Sequence, residues 1–160
     1  MPQIEGYLKW CLKDPKRLIK IKLDLELAQK HVKKSEYNYG IVQMLEKLKV
    51  YDWALNVGFY AIYHCFLAIL AKQSYESRNQ ACTITVLLTL VNEKKLNLDK
   101  DLVAQFDALD IENSITHPTV RESREMSTYG VGTSIDLQQL KRIKELILNV
   151  QRETIRILNE

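Results

Sequence analysis

The stretch WALNVGFYAIYHCFLAILA, Trp53 to Ala71, contains no Asp, Glu, Lys or Arg. Its polar interruptions are Asn56, His64, the hydroxyls of Tyr60 and Tyr63, and the Cys65 thiol. A helix that is apolar on every side is buried on every side, in a core or in a membrane. The run is too long for one strand, and Leu, Ala and Phe dominate it. It predicts one central helix from about Tyr51 to Lys72, with other helices packed around it. Its length approaches the roughly 20 residues that a bilayer needs. Asn56, Gly58 and His64 are costly or weak at bilayer depth, and the tyrosines sit mid-run rather than at the ends. The expectation is therefore the core helix of a soluble bundle, with no membrane association.

Working outward, the 160-residue chain is long enough to bury one core. Five Gly and three Pro fit an all-helical chain better than a sandwich or barrel. Cys11, Cys65 and Cys82 stand at unpatterned spacings, with no disulfide framework and no zinc motif. They read as buried free thiols in a reducing cytosol, and the expected location is cytoplasmic. The N-terminus MPQIEGYLKWCLKDPKR has no secretory apolar core. Met1 to Lys49 carries eleven Lys/Arg against six Asp/Glu, whereas the remainder carries twelve against fourteen. A basic first third can attract RNA, an acidic partner or anionic lipid, or simply be a solvated helix face.

Before the central helix, Ile4 to Lys13 predicts a short helix that Asp14-Pro15 breaks. Leu18 to Leu27 carries two patterns. Ile19, Ile21, Leu23, Leu25 and Leu27 alternate with charged residues as in a strand. Leu18, Ile21, Leu25, Ala28 and Val32 form a helical stripe, and the Leu/Lys/Glu content favours helix. From Asp24 to Leu48 one stripe is Leu25, Ala28, Val32, Ser35, Tyr39, Val42 and Leu45. A second is Tyr37, Ile41, Met44 and Leu48. A short connection near Lys49 makes this helix antiparallel to the central one.

After the central helix, Tyr75 to Arg78 reads as a polar break. A third helix runs from about Asn79 to Glu93, with Val86, Leu87 and Leu90 inward. Asp99 caps a fourth, with Leu102, Phe106 and Leu109 in its stripe. His117-Pro118 reads as a stop, and Thr119 to Thr133 as a turn or loop with short helical pieces. The last helix starts near Asp136, which with Gln139 fits a capping box. The fold class expected is all-α: a four- to five-helix up-and-down bundle with an added N-terminal helical segment.

Three pieces together carry a resemblance: YDWALNVGFYAIYHCFLAIL at Tyr51 to Leu70, ESRNQACTITVLL at Glu76 to Leu88, and RESREMSTYG at Arg121 to Gly130. The chain resembles the HEPN domain, the "higher eukaryotes and prokaryotes nucleotide-binding" helical bundle. In that family the central helix carries an aromatic-Tyr-Ala-x-Tyr/Phe-His pattern, here Phe59-Tyr60-Ala61-Ile62-Tyr63-His64. The resemblance covers about Leu25 to Leu158. It divides the chain into an extension, residues 1–24, and a single HEPN-like bundle, residues 25–160. It implies a homodimer, a nucleotide or RNA ligand, and a nucleotidyltransferase-type partner in a toxin–antitoxin-like pair. In many members it also implies RNA cleavage by an Arg followed, after four to six residues, by a His.

That chemistry needs Arg to stabilise phosphorane-like charge and His to move a proton. Here Arg124 is followed after four residues by Tyr129, and Arg121 finds Met126, Ser127 and Thr128 in its window. A phenol of pKa near 10 is a poor base at neutral pH. The reading is thus a binding module without nuclease chemistry. The alternative is a metal-independent ribonuclease using Arg124 with His117 or Tyr129.

Each candidate has a plainer role. Arg121 and Arg124 can grip phosphate, or pair with Glu122, Glu125 or another helix. Tyr129 can stack on a base, or anchor the loop by packing. Tyr60 and Tyr63 can contact ligand, or bury at an interface. His64 reads as a core or interface histidine with a hydrogen-bonded ring, or as a ligand contact. His31, among lysines, reads as solvated. His and Cys spacings fit no metal, and no phosphate loop is present, so no cofactor is expected.

Overall fold

The computed structural model describes residues 2–107, 119–132 and 137–160. The elements are α1 (Pro2–Leu12), β1 (Leu18–Lys20), α2 (Leu25–Lys47), α3 (Tyr51–Lys72), β2 (Tyr75–Ser77), α4 (Gln80–Asn92), α5 (Lys100–Phe106), α6 (Val120–Tyr129) and α7 (Leu137–Leu158). The fold is mostly helical, with seven helices among the described residues and one two-stranded sheet. Of the expected fourth-helix stripe, Leu109 lies outside the described residues, as do His117-Pro118 and the Asp136 half of the capping box.

α3 is the organising element, with α2 and α7 along its length and α6 across its first half. In its most apolar 18-residue window, 67% is buried against these neighbours, which accounts for a helix without a polar face. Gly58 lets α7 approach: a Cβ there would stand 3.1 Å from Ile143 Cγ2 and 3.5 Å from Ile147 Cδ1. On the α2 side, Ser35 donates to the Ala61 carbonyl at 2.6 Å and accepts from Gln151 of α7 at 3.0 Å. That satisfies the one serine at the centre of three helices. The turn between α2 and α3 is tight because Lys49 takes a left-handed conformation, φ 61°, directly after α2.

Three sequence expectations are corrected. Leu18 to Leu27 is not one helix. Leu18–Lys20 pairs antiparallel with Tyr75–Ser77, and α2 begins only where the Asp24 carboxylate caps it, accepting from Leu27 N at 2.9 Å. Neither pattern holds over the whole stretch: residues 18–20 are extended because Tyr75–Ser77, read as a polar break, supplies a partner edge, and Leu25–Leu27 already belong to α2. Cys11 and Cys82 are not free thiols: they form a disulfide joining α1 to α4, and only Cys65 is free, buried under Ser35. Thr119 to Tyr129 is not mainly loop. Thr119 caps α6, its hydroxyl accepting from Glu122 N at 3.2 Å. Residues 1–24 are thus stitched to the bundle twice, by the disulfide and by the strand pair.

Candidate functional site

α6 lies across the first half of α3 and is held there by three kinds of contact. Asn56 of α3 donates to the Thr128 hydroxyl at 2.9 Å. Gln139 of α7 donates to the buried Ser123 hydroxyl. Asp107, just past α5 and only 6% exposed, accepts from Arg121 Nε at 2.8 Å and from Gln80 at 2.9 Å. Arg121 also donates to Glu125 at 2.9 Å, so both sides of its guanidinium meet carboxylates. Its pKa is raised further, chiefly by the Asp107 hydrogen bond. Arg121 is a structural tie between α5 and α6.

Arg124 is placed differently. Its guanidinium carbon sits 4.4 Å from the Phe59 ring centre and 6.0 Å from that of Tyr60, a cation–π contact with the outer face of α3. Its Nε is buried and has no hydrogen-bond partner among the described residues. No carboxylate among the described residues pairs with it. Two arginines three residues apart on one helix are therefore in opposite states: Arg121 is neutralised, and Arg124 is a half-buried cation held by aromatic faces alone. A cation in that state is matched by an anion. Guanidinium geometry suits a phosphate, and the exposed Tyr60, 42% accessible, supplies a ring beside it.

Tyr129 is not the packed anchor expected: it is 79% exposed at the last turn of α6. Gly130 ends that helix, donating its N–H to the Met126 carbonyl at 2.9 Å. A Cβ at Gly130 would overlap that carbonyl oxygen, so the Tyr-Gly order is a stop that tolerates no side chain. Met126 and Val131 stand exposed beside it in sequence.

The remaining candidates lie elsewhere. Tyr63 points inward, stacking on Phe59 and Phe106 and bonding Thr83 through its hydroxyl at 3.2 Å; burial raises its pKa. His64 faces α2, where its Nδ1 is 2.9 Å from His31 Nδ1. His31 is thus paired and half-buried rather than solvated. Burial holds His64 down at about 4, with the neighbouring His31 and Lys34 charges adding to it. Burial also lowers His31, against the pull of Glu76. His117 lies outside the described residues.

The structure therefore gathers Arg124, Tyr60 and the unforeseen Phe59, places Tyr63 behind Phe59 on the core side, and turns His64 towards α2. Asp107 was also missed: in sequence it is one of several acids near Asp110 and Glu112, and only packing singles it out. Among the described residues no three His, Cys, Asp or Glu side chains group as metal ligands. The chain matches no protein-family model and no curated protein.

Proposed function

We propose that this chain is an atypical HEPN-like binding module that holds an anionic nucleotide or RNA segment at Arg124, between α3 and α6, without cleaving it. The observation that carries the reading is the half-buried Arg124 guanidinium, stacked on Phe59 and paired with no carboxylate among the described residues. The absence of a histidine where the resembling nucleases place one argues against proton transfer there. The module acts as a cytoplasmic homodimer. Tyr37, Met44 and Leu48 of the α2 hairpin and Trp53 and Tyr60 of α3 are all exposed, and together they offer large apolar side chains that association would cover. A nucleotidyltransferase-type partner in a toxin–antitoxin-like pair rests on the sequence resemblance.

The test is fluorescence anisotropy with labelled single-stranded RNA and with ATP, in EDTA, across a salt series. Arg124→Ala is expected to weaken binding at least tenfold and to flatten the salt dependence by about one phosphate contact. Arg121→Ala serves as the comparison, acting on stability first. Binding that is unaffected by Arg124→Ala removes the reading. Robust RNA cleavage abolished by Arg124→Ala or His117→Ala replaces it with the ribonuclease. Sedimentation at micromolar concentration reads the dimer.

A further inference from the structure

We propose that the Cys11–Cys82 bond is a reversible thiol–disulfide clasp that decides whether α1 stays docked on α4. The bond joins the end of α1 to the first turn of α4, across 71 residues of sequence, and both cysteines are fully buried. Little else holds α1. Leu8 and Leu12 pack partly buried against the core, while Tyr7 and Trp10 stack on each other at 5.1 Å on the exposed side. Arg17 covers Trp10 at 3.7 Å. An eleven-residue helix is marginal in water on its own. Among the described residues Cys11 is the only one of α1 in the buried main core, so the bundle keeps its core when α1 leaves.

Departure of α1 has a local consequence. A cavity of about 220 Å³ lies under it, walled by Leu8 and Leu12 and floored by Val86 and Leu90. Undocking removes the wall and bares the α4 stripe. The third cysteine does not interfere: Cys65 is buried, and burial pushes its thiol up to about 11, so it stays protonated and unreactive. In a reducing compartment a disulfide is a transient or sensing bond rather than a permanent staple.

Opening uses a small-molecule thiol such as glutathione. Its thiolate attacks the Cys11 sulfur as α1 frays, the protein S–S bond breaks, and Cys82 leaves as a thiolate. That thiolate forms in the first turn of α4, where helix N–H groups favour negative charge, and it then takes a proton. A second thiol attacks the mixed disulfide, freeing Cys11 as a thiol and releasing the small disulfide. Two electrons pass from two small thiols to the protein bridge, and closing is the reverse.

The experiment equilibrates the full-length chain in buffers of rising reduced-to-oxidised glutathione ratio, then alkylates it and weighs it. Brief trypsin digestion of the same samples reads cleavage after Lys9, Lys13, Lys16 and Arg17. The bridge is expected to open within the series, with cleavage in residues 9–17 rising at least tenfold in step. Helical circular dichroism should fall by no more than the share of α1. Cys65 should alkylate only in denaturant. The Cys11→Ser/Cys82→Ser variant should digest at the open rate in every buffer. A bridge that survives excess dithiothreitol, one that never forms in oxidised glutathione, or opening without faster cleavage overturns the proposal. Should the variant fail to fold, the parent titration decides alone.

Discussion

α1 and α6 are both short helices laid on the outside of one bundle, and they are held by largely different means. α1 is fixed by a covalent bond, two leucines and a neighbouring strand pair. α6 is fixed by one buried apolar side chain, Val120, and otherwise mainly by hydrogen bonds and charge: Asn56 to Thr128, Gln139 to Ser123, Arg121 to Asp107, and Arg124 over Phe59. Apolar and covalent contacts close a surface. Polar contacts leave groups that a ligand can also use, which is why the candidate site lies under α6. The difference predicts that the two helices fail independently, each to its own perturbation.

Asp107→Ala should give the largest effect. It leaves Arg121 with Glu125 alone and strips Gln80 of its acceptor, in a site where the carboxylate is almost wholly buried. Breaking a buried pair this way costs about 2–3 kcal/mol once the one-third exposure of Arg121 is allowed for. Hydrogen exchange should show α6 amides losing protection first, with α1 unchanged in the bridged protein. Simultaneous loss in both helices would erase the distinction.

Gly130→Ala comes next. Its Cβ meets a backbone carbonyl rather than a movable side chain, so the last turn of α6 must shift, at about 1–2 kcal/mol. The matching change at Gly6 in α1, where nothing lies within 4 Å, should be neutral or slightly stabilising in thermal melts. Equal melting shifts for the two would contradict the geometry.

How far the sequence revealed these helices follows the same division. α3 was legible to the residue, because an apolar run of that length with no charge reads as one continuous helix. Asp99 was legible as a cap, and its carboxylate accepts from Asp101 N at 2.9 Å. The strand at Leu18–Lys20 appeared only as one of two readings, since its partner lies more than fifty residues on and no local pattern encodes that pairing. The Cys11–Cys82 bond was hidden for the same reason: spacing in sequence carries no distance in space. At the site, Arg121 and Arg124 look equivalent in sequence. They differ only because Asp107 reaches one and Phe59 underlies the other. α6 itself was obscured by Pro118 and Gly130, which read as breakers in the sequence, although Thr119 and Gly130 cap a ten-residue helix.

Acid offers a perturbation of the α2–α3 packing at the centre of the bundle. His31 and His64 share one hydrogen bond across α2 and α3, so one Nδ1 donates and the other accepts. Both are held below the ordinary imidazole value, His64 at about 4. A depressed histidine pKa means that the fold favours the neutral ring. The stability it contributes is full above about pH 6.5, the unfolded value, and is lost as pH falls towards 4. The loss is expected at about 1–2 kcal/mol after solvent screening at two half-exposed rings. His64→Gln should flatten the urea-midpoint profile over that window. α1 and α6 should lose protection together here, unlike in the two variants above, and an acid response confined to one of them would place the pair's influence elsewhere.

Tyr129→Ala is expected to have the smallest effect on the fold and is the sharpest test of why α6 is left open. The side chain is 79% exposed, on the last turn, and substitutions of that kind change stability by less than about 0.5 kcal/mol. If its ring serves as a stacking surface beside the Arg124 cation, its loss should still weaken RNA binding, since one base–aromatic stack is worth about 1–3 kcal/mol. Tyr129→Phe separates the two roles a tyrosine can have. It keeps the ring and removes the hydroxyl, so stacking predicts recovery of binding and a hydroxyl contact predicts none. The pair of measurements, melting temperature and anisotropy in the same buffer, distinguishes this from a loosened helix, because loosening moves both. A Tyr129→Ala protein that melts and binds like the parent confines the ligand to Arg124, Phe59 and Tyr60, and leaves the exposed end of α6 as an interface between copies rather than a wall of the site.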